Sequence, residues 1–148
     1  MATAPPKSRS WSWRSKAFRG VLYQVIVLAL LVAAGSYLLS NTLANMRDHL
    51  QTLQEIQMQL GMGHPDVAAG IAEARLGLSS LELHGAADVA KYMPQGMQDA
   101  GTAMHRAASR FAIAAQDASV TGDLKPVFAG LADITAQCVG CHAGYRLK

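Results

Sequence analysis

The chain has 148 residues, 51% of them hydrophobic, two cysteines and a formal net charge of +3. That length suits one domain with an appendage. The charge is local: residues 1–20 carry Lys7, Arg9, Arg14, Lys16 and Arg19 and no acid, leaving eight Lys/Arg against ten Asp/Glu beyond them, a net of −2. No basic cluster with interleaved aromatics follows residue 20, so no nucleic-acid partner is expected.

Residues 1–20 read as a basic cytoplasmic segment, with Trp11 and Trp13 as interfacial anchors beside anionic lipid. Val21–Leu39 then runs 19 residues without a charge. At ~1.5 Å per residue this spans roughly 28 Å, enough for the hydrocarbon core of a bilayer. Residues 21–40 are therefore expected to be one transmembrane helix. Its basic flank places the N-terminus in the cytoplasm and residues 41–148 outside, in the periplasm of a bacterium. A cleaved signal peptide with Val32-Ala33-Ala34 as the processing site is the competing reading. The long basic region and the unbroken run through Tyr37, Leu38 and Leu39 favour a retained anchor.

Four helical stripes follow, with no repeat and no strand signature. The first is Leu39, Leu43, Met46, Leu50, Leu53, Leu60, ended by Gly61, Gly63 and Pro65. The second is Val67, Ile71, Ala74, Leu78, Leu81, with Pro65 and Asp66 as starting chemistry. Gly85 and Pro94-Gln95-Gly96 mark a longer connection, with room for a short helical turn at Ala86–Tyr92. The third is Met97, Ala100, Met104, Ala108, Phe111, Ala115, Ala118, closed by Thr121-Gly122-Asp123. Asp123 can cap the last helix and Pro126 is tolerated in its first turn. The last stripe is Val127, Leu131, Ile134, Cys138, Cys141, Tyr145. Four helices of roughly 20 residues with short connections predict an all-α, antiparallel four-helix bundle.

The fourth stripe carries the most informative residues, Cys138-Val139-Gly140-Cys141-His142. C-x-x-C-H is the signature of covalent haem attachment. Each thiol adds to one vinyl group, and positions i, i+3 and i+4 of a helix address one porphyrin. His142 then supplies the proximal imidazole to the iron. A redox dithiol expects a βαβ pattern, and a zinc site would lack its fourth ligand. Because the motif lies on the apolar face of its helix, one haem c should sit inside the bundle as a core element. The alanines of the third and fourth helices leave room for it, and the haem-free chain should fold poorly.

With these residues in place, the chain resembles class II c-type cytochromes, the cytochrome c′ family. Their longer signature, C-x-x-C-H-x-x-Y/F-R, is matched from Cys138 to Arg146, and the resemblance covers about residues 41–148. The N-terminal anchor lies outside the family pattern. The resemblance implies a four-helix bundle with the haem motif near the end of the last helix. It also implies Arg146 as a partner of a haem propionate, although a basic residue suits a helix end in any case. Low-spin members take a sixth ligand from a first-helix methionine, and Met46-Arg47-Asp48 is similar to that pattern. Three states of the sixth position stay open: Met46 ligation, an open site able to bind NO or CO, and ligation by His49, about 60° from Met46. Met58 should face away and Met62 lies beyond the helix end. His64 abuts a proline turn, and His84 and His105 fall off the stripes and are expected to be solvated.

If span and first helix form one rod, Met46 stands about 10 Å above the hydrocarbon edge. Small residues Ala29, Ala33, Ser36 and Ser40 share one face of the span and allow another membrane helix to approach. No nucleophile–base or carboxylate pair stands near the motif, so no enzyme activity is expected. The expected function is single-electron transfer by a membrane-anchored cytochrome. Its expected partner is a membrane redox complex: a quinol-oxidising complex, reaction centre, dehydrogenase or terminal oxidase. A gas-binding protein or a structural haem-containing subunit is the alternative.

Overall fold

A computed structural model describes residues 10–81 and 89–145. Among these residues there is no strand, and the elements are α1 (Ser10–Gly61), α2 (Pro65–Arg75), a 3₁₀ turn (Leu78–Ser80), α3 (Gln95–Thr121) and α4 (Lys125–Gly144). The chain divides into two compact units, one up to Ser40 and the other from Asn41.

In the first unit, α1 is long and apolar enough to cross a membrane by length and composition. Its large side chains have no protein cover: Leu28, Leu30, Leu31 and Val32 are each more than 60% exposed. A contiguous apolar surface of this kind needs a non-aqueous surrounding or a partner.

The second unit is built around a core shared by all four helices. From α1 it takes Leu53, Ile56 and Leu60; from α2, Ala68, Ala69 and Ala72; from α3, Met104, Ala108, Phe111, Ala115 and Ala118; from α4, Val127 and Ile134. Helix α3 is central, packing against both α2 and α4. Its buried residues follow the predicted third stripe from Met104 onward. Gly130 of α4 lets the two helix backbones approach, since a Cβ there would lie 3.2 Å from the Cα of Phe111. The α3–α4 turn needs Gly122, whose φ of +76° is closed by its N–H donating to the Ala118 carbonyl at 2.8 Å. The Asp123 carboxylate then accepts from the Lys125 N–H at 3.0 Å, at the start of α4.

Two expectations are corrected. The second helix has 11 residues, not about 20, and ends at Arg75. The chain turns at Leu76 and Gly77, where both N–H groups donate to the Ala72 carbonyl. A Cβ on Gly77 would sit 2.7 Å from the Glu73 carbonyl oxygen, so glycine is required there. The inward face is Ala68, Ala69, Ala72 and Leu76, while Val67, on the expected stripe, is exposed. On α1, Leu43 and Leu50 are 45% and 67% exposed. The inward face is rotated toward Met46, His49, Leu53, Ile56 and Leu60, with Thr52 buried by donating its hydroxyl to the Asp48 carbonyl at 2.7 Å. Of the short helical turn expected at Ala86–Tyr92, residues 89–92 are described: Val89 and Ala90 are helical, and the Tyr92 N–H donates to the Val89 carbonyl at 3.0 Å.

Arg75 ties α2 to α1. Its guanidinium donates to Asp48 at 2.8 Å and to Glu55 at 2.5 Å. The hydrogen bond to Asp48, with the charges of Asp48 and Glu55, raises its pKa against the opposing effect of burial. All three side chains remain about a third exposed, so each pair contributes on the order of 1 kcal/mol or less.

Candidate functional site

At the end of the second unit away from Phe111, the core gives way to a cavity of about 300 Å³. One wall is the stretch of α1 holding Thr42, Asn45, Met46, His49 and Leu53. Another is α4, which contributes Gln137, Cys138, Cys141 and His142. The first turns of α3 add Met97, Gly101, Met104 and His105, and the connection before α3 adds Leu81, Val89 and Met93. Leu53, Leu81, Val89 and the methionines make the surface of the cavity largely apolar, the lining that suits a flat apolar ligand held by a few polar atoms.

The motif residues come together as their spacing predicts. Cys138 and Cys141 are half-buried free thiols, and His142, one residue on, is exposed at the same wall. The Cys138 thiol donates to the Ile134 carbonyl at 3.6 Å. Burial pushes its pKa up, opposed by a backbone hydrogen bond and aided by the neighbouring Cys141. Helix α4 ends with the Tyr145 N–H donating to the Cys141 carbonyl at 2.9 Å. The Tyr145 hydroxyl lies against Gly96, in a space that a Cβ on that residue would occupy. The segment carrying His142 is thereby held against the start of α3. Arg146 lies outside the described residues, as does His84.

Met46 is half-buried and lines the cavity, whereas Met58 and Met62 are each more than half exposed. His49, one turn from Met46, lines the same cavity. His64 is exposed, with its Nδ1 3.3 Å from the Gln59 side-chain oxygen.

His105 is a correction. It is 6% exposed rather than solvated. Its Nδ1 lies 2.8 Å from the Leu76 carbonyl; a carbonyl only accepts, so Nδ1 carries the proton. Its ring meets the His49 ring edge-on, at 5.8 Å between centroids and 88° between planes. The signal was present in the sequence: His105, Ala108, Ala112 and Ala115 step by three and four, and the last three are buried. Met93 was also missed, because it precedes α3 and belongs to no helical stripe.

The donor set fits a haem. Two thiols one turn apart, a neighbouring imidazole and a thioether on another helix all border one cavity. Among the described residues no three His, Cys, Asp or Glu side chains form a metal cage. A porphyrin iron needs no such cage, since four of its ligands are pyrrole nitrogens and the protein supplies only axial groups. No protein family, characterised protein or solved structure matches the chain.

Proposed function

We propose that this chain is a membrane-anchored, mono-haem c-type cytochrome of the class II kind, in which an antiparallel four-helix bundle carries single electrons on the periplasmic side. The observation that carries the reading is the meeting of Cys138, Cys141 and His142 with Met46 around one cavity. The bound haem supplies the redox couple, Fe(II)/Fe(III). Everything else falls to the chain. Cys138 and Cys141 would hold the group covalently through their sulfurs, and His142 would offer its imidazole to the iron. Met46 offers a thioether, which favours the reduced metal and raises the potential. Leu53, Val89, Met97 and Met104 exclude water from the faces, which limits reorganisation when the charge changes.

The apolar, uncovered part of α1 supports anchoring in the bacterial cytoplasmic membrane. The exposed small residues Ala29, Ala33, Ser36 and Ser40 support docking on a larger membrane redox complex. Arg146 is the proposed partner of a propionate.

Expression in a host that attaches c-type haem, followed by mass measurement of the denatured chain, tests the reading. A haem increment resistant to acid–acetone extraction is expected, with a low-spin spectrum that Met46→Ala alters. Extraction of all pigment would end the proposal. A five-coordinate spectrum indifferent to Met46→Ala would instead support a gas-binding protein.

A further inference from the structure

Two histidines that the electron-transfer reading does not use stand at the same cavity as Met46. His105 is buried in the core. A buried imidazole is costly unless hydrogen-bonded, and its bond to the Leu76 carbonyl meets that cost. Leu76 is itself fully buried at the end of α2, so this anchor is fixed. The edge-on contact then sets the plane of the His49 ring. His49 is three residues from Met46, on the same face of α1, and lines the same cavity. An oriented ring loses little freedom on binding a metal, whereas a methionine must fix three rotatable bonds.

We infer that His49 is a reserve axial ligand for the haem iron, held ready by His105, and that it occupies the sixth position whenever the Met46 thioether is off the metal. The inference rests on the haem reading above. In this proposal His105 acts as a positioning residue, its Nδ1–H committed to the Leu76 carbonyl. The device keeps the iron six-coordinate, so loss of one ligand does not turn an electron carrier into a gas-binding site.

The test uses the full haem-loaded chain, purified from membranes in mild detergent. Met46→Ala should remain low-spin, losing the sulfur-to-iron charge-transfer band and gaining the electron paramagnetic resonance signals of two imidazoles. Met46→Leu, which fills the space, carries the same expectation should the alanine variant fail to fold. Adding His49→Ala should give a high-spin, five-coordinate iron that binds CO rapidly once reduced. Adding His105→Ala instead should lower the low-spin fraction and broaden its signals, and His105→Gln, which can still donate to the Leu76 carbonyl, should restore them. A high-spin Met46→Ala protein, or a double variant with His49→Ala that stays low-spin, overturns the inference and leaves the haem assignment intact. A denatured wild-type chain with no haem increment overturns both.

Discussion

The two ends of the unit from Asn41 onward are built on opposite principles. Around Phe111 the helices meet through small residues: Ala68, Ala72, Ala108 and Ala115 are almost wholly buried, and Gly130 lets backbone approach backbone. Around Met46 the side chains are long and adaptable, including Met93, Met97 and Met104, and they leave a cavity of about 300 Å³. Dense packing gains dispersion contacts on every side, which a void forfeits. The packed end therefore carries the stability of the fold. The open end gives up stability for a space that, on the proposed reading, the haem fills, and binding would return that stability.

The largest predicted effect separates the two ends and rests on the haem reading proposed above. Cys138→Ala with Cys141→Ala should abolish covalently retained haem, read as loss of the haem mass increment. In native-state hydrogen exchange, the amides of residues 42–53 and 97–105 should lose protection, while those around Ile56, Phe111 and Val127 keep theirs. Equal loss everywhere would dissolve the distinction between a packed end and a ligand-dependent one.

Truncation of single side chains gives the next effect. Phe111→Ala, at a fully buried site, should cost about 3–5 kcal/mol in denaturant unfolding. Met97→Ala, at a half-buried position on the cavity wall, should cost about 1 kcal/mol or less. Similar losses would mean that the cavity wall is packed as tightly as the core.

A glycine pair should respond with opposite signs. At Gly130 the Cβ of alanine would press on the Phe111 backbone at 3.2 Å, an overpacking cost of about 1–3 kcal/mol. This exceeds the helix-propensity gain of about 1 kcal/mol, so Tm should fall. Nothing lies within 4 Å of a Cβ at Gly70, an exposed position inside α2 and away from the cavity, so alanine there should raise Tm. A rise at both positions would show that the α3–α4 crossing has slack.

The smallest effect lies at the α2 end. Burial would raise the Glu73 carboxyl, but hydrogen bonds from Ser109 and Ser79 outweigh it and hold its pKa below the usual value. A carboxyl lowered by folding stabilises fully above its unfolded pKa and loses that contribution as pH falls through the folded one. The Tm difference between the wild type and Glu73→Gln should thus be widest near neutral pH and close in acid. A difference that widens in acid would reverse the sign assigned to this carboxyl.

The same contrast explains what the sequence made legible. Helix α3 alternates alanine and large apolar residues against charged ones, so its inward face could be read directly from Met104 to Ala118. The clustering of Cys138, Cys141 and His142 could be read because it is local: these residues fall on one helix face whatever the tertiary arrangement. Helix α1 is apolar on several faces, which leaves its phase ambiguous, and Leu43 and Leu50 proved exposed. Helix α2 was overextended because Leu78 and Leu81 continue a helical period past Gly77, whose effect depends on contact with Glu73. The burial of His105 was legible in its step to Ala108, Ala112 and Ala115, but its hydrogen bond was not. Its partner is a carbonyl at the end of another helix, a contact that no local pattern encodes.

The order of parts along the chain has a consequence for incomplete products. Every residue named here at the packed end precedes both thiols, and these are the chain's two cysteines. A polypeptide broken off after Ile134 would retain each of those packing residues but have no nucleophilic sulfur to capture a porphyrin. On the proposed haem reading, shape and reactivity are thus encoded one after the other, and truncated molecules would be colourless rather than wrongly pigmented.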